Sequence, residues 1–247
     1  MSELKGREER ELAVASVLLK SRIGAENWGP IATETAQACT KKSANQFLLC
    51  CLLDYQIKSA VAWQNGVRLI QHFGDPEDIW AVICTHSREE WADKFKELHL
   101  HRFPAAHSRL WKIGKEICAR YEGDARKIWQ GRDAIEAREK LWILGAGEQI
   151  SKMIVGALRD IRHIEGTGDV KADVHVCRVL GRIYYGNPVE PNLATEIARR
   201  IHASDPWQLD WPLWTIGTSH CHPTSPHCMN CEAETCCTYA QAQTLRG

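Results

Sequence analysis

The chain has 247 residues, of which 44% are apolar and 25% charged, and its 31 basic and 31 acidic side chains cancel to a net charge of zero. That balance suits one folded domain or two small ones and excludes a globally basic nucleic-acid binder, so any grip on phosphate has to come from a local patch. No apolar segment follows the charged start MSELKGREEREL, no apolar run approaches the roughly 20 residues that span a bilayer, and eleven cysteines argue for ligands and buried thiols over disulfides, so a soluble intracellular protein is expected.

An apolar period of about 3.6 residues predicts helices along most of the chain, the first over residues 9–21. Residues 43–72 follow, with Phe47, Leu48, Cys51, Leu52, Tyr55, Ala62 and Val67 at helical spacing. This stretch contains Leu52-Leu53-Asp54-Tyr55-Gln56, where Gln56 by itself reads as a solvated amide. Further helices are expected over 77–85, 88–97, 107–121 and 132–143, separated by turn signals at Gly74-Asp75-Pro76 and Gly123-Asp124. Alternating strand patterns are scarce, and the ten tryptophans read as fillers of core and seams between helices. The fold class is all-α.

The segment Trp142-Ile143-Leu144-Gly145-Ala146-Gly147-Glu148-Gln149-Ile150-Ser151 joins 132–143 to a helix over 148–162. Gly145 and Gly147, one residue apart, let the backbone turn sharply and expose amide N–H groups at the start of the next helix, where an anion is favoured. A plain helix end is the alternative. After Gly166-Thr167-Gly168, Asp173 precedes a helix over 174–185 and reads as its N-cap. His175 and Arg178 are expected to fix that helix in place, while Arg182, Arg199 and Arg200 read as solvated faces of it and of the next helix, 192–202.

Near the C-terminus Cys221, Cys228, Cys231 and Cys237 have six, two and five residues between them. Only one Cys-x-x-Cys pair is present, whereas a structural zinc site usually takes two such pairs, so the spacing favours an iron-sulfur cluster over zinc or over four inert thiols. Cys236 would change the last gap from five to four and is the alternative final ligand.

These stretches resemble endonuclease III and its relatives in the helix-hairpin-helix (HhH-GPD) DNA glycosylase superfamily. The cysteine quartet is similar to that family's C-terminal cluster loop, Trp142 to Ser151 to its Leu-Pro-Gly-Val-Gly hairpin, Lys171 to Val179 to its Val-Asp-Thr-His-Val-x-Arg-Val segment, and Leu52 to Gln56 to its Leu-Leu-Ser-Ala-Gln. The resemblance implies a two-lobed all-α fold, with a six-helix barrel lobe over 37–167 and an iron-sulfur cluster lobe from 1–36 and 168–247. It implies a [4Fe-4S] cluster on Cys221, Cys228, Cys231 and Cys237, and DNA backbone contacts at Gly145 and Gly147. Gln56 would fill the hole left by an extruded nucleotide, and Asp173 would be the catalytic carboxylate.

Gln149 stands where the bifunctional enzymes of the family carry a Schiff-base lysine. The implied activity is therefore hydrolysis of the N-glycosidic bond of a flipped base by a monofunctional DNA glycosylase, with Gln149 beside Asp173. Lys152 or Lys171 would have to serve as nucleophile in a bifunctional glycosylase and lyase, and a catalytically inactive iron-sulfur DNA-binding protein is the other alternative. The expected partner is double-stranded DNA with a damaged or mispaired base, with no membrane partner. The expected state is a monomer in the cytoplasm, associated with the nucleoid in a prokaryote. Which base is removed does not follow from the sequence.

Overall fold

The computed structural model describes residues 2–20, 40–75 and 77–244. Helices and turns make up the ordered structure, with no strand among the described residues, as the sequence leads one to expect. None of those helices is long and apolar enough to cross a membrane. The chain divides into two compact units, Ala25–Gly166 and a second formed by Met1–Gly24 with Thr167–Gly247.

In Ala25–Gly166 the helices are α2 (Lys41–Leu53), α3 (Ser59–Phe73), α4 (Ile79–Thr85), α5 (Arg88–Glu97), α6 (Ala105–Tyr121), α7 (Arg126–Trp129), α8 (Ala134–Ile143) and α9 (Glu148–Asp160); α1 (Ser2–Lys20) belongs to the other unit. Local chemistry sets their starts. Ser87 with Glu90 and Asp133 with Glu136 form capping boxes that satisfy the first amides of α5 and α8. Phe47, Leu48, Leu49, Leu69, Trp80, Ile83 and Trp91 form one core. Asn45, fully buried, donates its Nδ2 to the carbonyls of Glu77 and Gly123 and accepts from Ala125 N–H, so α2 is pinned to two turns by a satisfied polar group.

The continuous pattern over 43–72 is interrupted in the structure. Asp54 N–H turns back to Cys51 O at 3.1 Å, Ser59 Oγ donates to Asp54 Oδ1, and Gln56 takes a left-handed φ of +52°. Arg109 and Arg102, far along the chain, take the Leu52 and Gln56 carbonyls, which periodicity alone does not register.

The second unit holds α1, α10 (Val174–Tyr185), α11 (Pro191–Ile201), α12 (Asp210–Ser219) and α13 (Thr238–Thr244), with 3-10 turns at Pro206–Leu209, Cys228–Asn230 and Glu234–Cys236. Arg10 of α1 donates to Ile183 O at 2.7 Å and to Thr238 Oγ1 at 2.8 Å, and Glu11 pairs with Arg200 at 3.1 Å, so the N-terminal helix is tied to α10, α11 and α13. Two glycines permit the closest approaches of α10. A Cβ on Gly181 would lie 2.3 Å from Asn187 O, and one on Gly217 would lie 2.6 Å from His175 Cβ.

α12 escapes the sequence reading. Its Pro212 falls in the first turn, where no intrahelical N–H is lost, but a proline weakens a pattern-based assignment. Trp63, Trp80, Trp91, Trp129 and Trp207 are buried as expected, whereas Trp142 is 62% exposed.

Candidate functional site

α8 ends by folding its carbonyls back on the chain, with Leu144, Gly145 and Ala146 N–H bonded to Lys140, Trp142 and Leu141 O at 2.9 to 3.1 Å. Gly145 (φ +98°) and Gly147 (φ +82°, ψ 156°) then turn the chain into α9. Both conformations belong to glycine, and nothing but the backbone angle at Gly147 demands it, since a Cβ there would meet open space. Gly147 caps α9 without a side chain, so the amides of the first turn have no intrahelical acceptor and suit an external anion. Glu148 puts a carboxylate in that turn, but its Oε1 is bonded at 3.0 Å to Nζ of Lys152, whose side chain is only 2% exposed. Trp142 and Ile143 flank the turn as exposed apolar side chains.

Gln149 is half-buried, and its Oε1 is shut away from solvent with no hydrogen-bond partner among the described residues. An orphaned buried acceptor costs about 1–3 kcal/mol and is relieved by a ligand that brings a donor. In the same unit Gln56 projects from the break between α2 and α3 and is exposed.

A wall of cations and rings holds that break. Arg102 Nη2 donates to Gln56 O, and Arg109 Nη2 donates to Leu52 O. Arg109 also lies 3.9 Å over the Tyr55 ring, whose other neighbour is His101, stacked at 4.4 Å and bonded to Tyr55 O at 3.1 Å. Burial is the main reason that the His101 pKa lies below its ordinary value; the bond to Tyr55 O opposes this, and the charges of Arg109 and Arg102 add to it. Tyr55, His101, Arg102 and Arg109 were not legible as site residues, because no local spacing joins a helix end to a loop so far downstream.

In the second unit Asp173 caps α10. Its Oδ1 accepts from His175 N–H at 2.8 Å and Val176 N–H at 3.1 Å, which fixes the carboxylate at the positive end of the helix dipole. The approach to it is anchored. Asp169 pairs with Arg199 at 2.7 and 2.8 Å, Gly168 O accepts from Trp207 N–H, and Lys171 N–H donates to Asp210 Oδ1.

Cys221, Cys228, Cys231 and Cys237 line one pocket with Arg182, Pro226 and Tyr239. Cys236 does not line it; its thiol bonds Ala233 O at 3.3 Å and packs on the core of the unit. Burial, and after it the charges of neighbouring thiols and acids, pushes Cys231 up to about 12, and burial likewise raises Cys228 and Cys237. Thiols raised in this way ionise together only around a positive centre. Among the described residues no group of three Cys, His, Asp or Glu is disposed to hold a single metal ion. Four thiols around one pocket are a donor set of the kind that holds an iron-sulfur cluster or zinc.

Two arginines of α10 are staples for this loop. Arg178, 7% exposed, donates to Cys221 O, to Gly217 O at 2.8 Å and to His175 Nδ1 at 3.0 Å. Arg182, 6% exposed, donates to His222 O at 2.7 Å, Pro223 O at 2.9 Å and Cys221 Sγ at 3.3 Å. Fixing the helix was expected of His175 and Arg178; burial of Arg182 was not, and Arg199 and Arg200 are paired with Asp169 and Glu11.

No family model matches the sequence, and no curated protein matches it. Solved structures do. A thermostable thymine-DNA glycosylase is 15% identical with a TM-score of 0.65, the match covering 95% of this chain and 98% of that one. A trapped endonuclease III–DNA covalent intermediate is 18% identical with a TM-score of 0.59, covering 81% of this chain and 86% of that one. The 8-oxoguanine DNA glycosylase of Thermotoga maritima is 20% identical with a TM-score of 0.50, covering 87% of this chain and 96% of that one. The chain shares its all-α fold with these DNA glycosylase structures.

Proposed function

We propose that this protein is a monofunctional DNA glycosylase that extrudes a damaged or mispaired base from duplex DNA and hydrolyses its N-glycosidic bond. The observation that carries this is Asp173: in a chain with the glycosylase fold, a carboxylate is held at a helix N-terminus by two backbone amides. The bond from sugar to base breaks with its electron pair leaving on the base, and positive charge gathers at the anomeric carbon. A fixed carboxylate stabilises that charge and takes the proton of the water that adds there. The departing base takes up a proton, and an intact abasic site remains.

The other residues bind and position. The α9 amides after Gly147 take a backbone phosphate, and Gln56, with its carbonyl held by Arg102, fills the gap in the stack; unstacking a base costs about a few kcal/mol. The orphaned Oε1 of Gln149 accepts from an N–H of the extruded base. One of the matched structures is described as a covalent endonuclease III–DNA intermediate. The Gln149 amide cannot supply the amine that such a bond needs, and Lys152 Nζ is taken up by Glu148. A [4Fe-4S] cluster on Cys221, Cys228, Cys231 and Cys237 serves structure, closing the loop that Arg178 and Arg182 hold from beneath.

Single-turnover base release tests the proposal, using duplexes that carry uracil, hypoxanthine, alkylated purines, oxidised purines and pyrimidines, or mispaired adenine or thymine. Release from at least one duplex, lost in Asp173→Asn and giving strand breaks only after alkali, is the expected result. Breaks without alkali would reinstate a lysine nucleophile. Binding without release from any duplex would leave a DNA-binding protein in place of an enzyme.

A further inference from the structure

Cys84 in α4 and Cys118 in α6 belong to none of the groups above. Their sulfurs lie 3.1 Å apart, the Cys84 thiol donating to Cys118 Sγ, and both are half-buried free thiols. Helix packing sets this distance. Gly114 stands one turn before Cys118, and a Cβ there would come within 3.0 Å of Ile83 Cγ2, on the residue before Cys84. With only hydrogen at position 114 the helices approach closely, and the next pair along meets sulfur to sulfur. Lys115 secures the contact by donating Nζ to Cys84 O at 2.8 Å, which also places a cation beside the thiols. Joining the sulfurs at about 2.05 Å needs a closure of about 1 Å.

We propose that Cys84 and Cys118 are a reversible thiol–disulfide modification site whose reactant is a low-molecular-weight disulfide of the glutathione type. The Cys118 thiolate, acceptor of the Cys84 S–H, attacks one sulfur of the disulfide, forming a mixed disulfide and releasing one small thiolate. Cys84 then loses its proton and attacks the Cys118 sulfur, closing the intramolecular bond and releasing the second small thiolate. Two protein thiols are oxidised, one small disulfide is reduced to two thiols, and the two protons leaving the protein end on those thiols. Cys84 is the resolving partner because it is the donor in the S–H···S contact and keeps its proton, in line with burial and the neighbouring Cys118 pushing that thiol up to about 12.

The test equilibrates the full chain, purified anaerobically, with graded ratios of oxidised to reduced glutathione, then quenches, alkylates, digests and maps the cysteine peptides by mass spectrometry. A Cys84–Cys118 linked peptide, two hydrogens lighter than the separate pair and lost again on adding reduced glutathione, is expected at ratios where the buried Cys50, Cys51 and Cys177 stay reduced. In Cys84→Ser the reaction is expected to stop at a glutathione adduct on Cys118. An adduct on Cys84 in Cys118→Ser would overturn the order of attack. Absence of the linked peptide from the wild type at every ratio would overturn the site, whatever the variants do.

Discussion

Asp173 carries two duties that ask for the same ionised, fixed carboxylate: capping α10 and facing a cationic sugar. They separate on substitution. Asn caps nearly as well as Asp, so Asp173→Asn is expected to melt close to wild type while losing base release, whereas Asp173→Ala loses the cap as well, about 1 kcal/mol and roughly 2–4 °C in Tm. His101 supplies a pH test. Its pKa is held down in the fold, chiefly by burial, so the unfolded chain binds more protons as pH falls through its value of about 6.5. Stability is therefore complete above that pH and declines as pH drops toward the folded value. Denaturant unfolding is expected to show this decline as pH is lowered below about 6.5, and to show less of it in His101→Phe, which keeps the stack on Tyr55. At the cysteines, Cys237→Ser is expected to lower bound iron and acid-labile sulfide in anaerobically purified protein and Cys236→Ser to leave them unchanged, because only Cys237 lines the pocket.

Among the elements, the hairpin takes two glycines at positive φ, +98° at Gly145 and +82° at Gly147. Gly147→Ala forces a side chain into φ +82°, at a cost of about 1–2 kcal/mol, and is expected to weaken duplex binding at low salt more than it lowers Tm. Gly217→Ala acts by crowding: the new methyl meets His175 and displaces the helix that Asp173 caps, so about 1–3 kcal/mol of destabilisation should show in chemical unfolding. What the sequence reveals and what it hides divides along these lines. The hairpin, the cap at Asp173 and the cysteine loop are local patterns with fixed spacings, and each was legible. The break at Asp54, the wall of Tyr55, His101 and Arg109, and the burial of Arg182 depend on partners far along the chain. An arginine on an amphipathic helix looks solvated until the carbonyls of His222 and Pro223 arrive to receive it.

On the scale of the whole molecule, each unit has its own core and its own share of the chemistry. Ala25–Gly166 carries the hairpin, Gln56 and Gln149, while the other unit carries Asp173 and Cys221, Cys228, Cys231 and Cys237. The chain is electrically neutral, so duplex affinity has to come from a few placed contacts, and a shallow dependence on salt is expected compared with a basic binder. The most direct measurement of the central claim compares wild type and Asp173→Asn in binding a duplex in which a cationic pyrrolidine replaces one deoxyribose and a duplex with a neutral abasic ring at the same place. A carboxylate that stabilises a cationic sugar predicts at least about a tenfold loss of affinity in the variant for the cationic duplex, with the neutral duplex bound equally by both. Equal affinities of the two proteins for the cationic duplex would contradict the account.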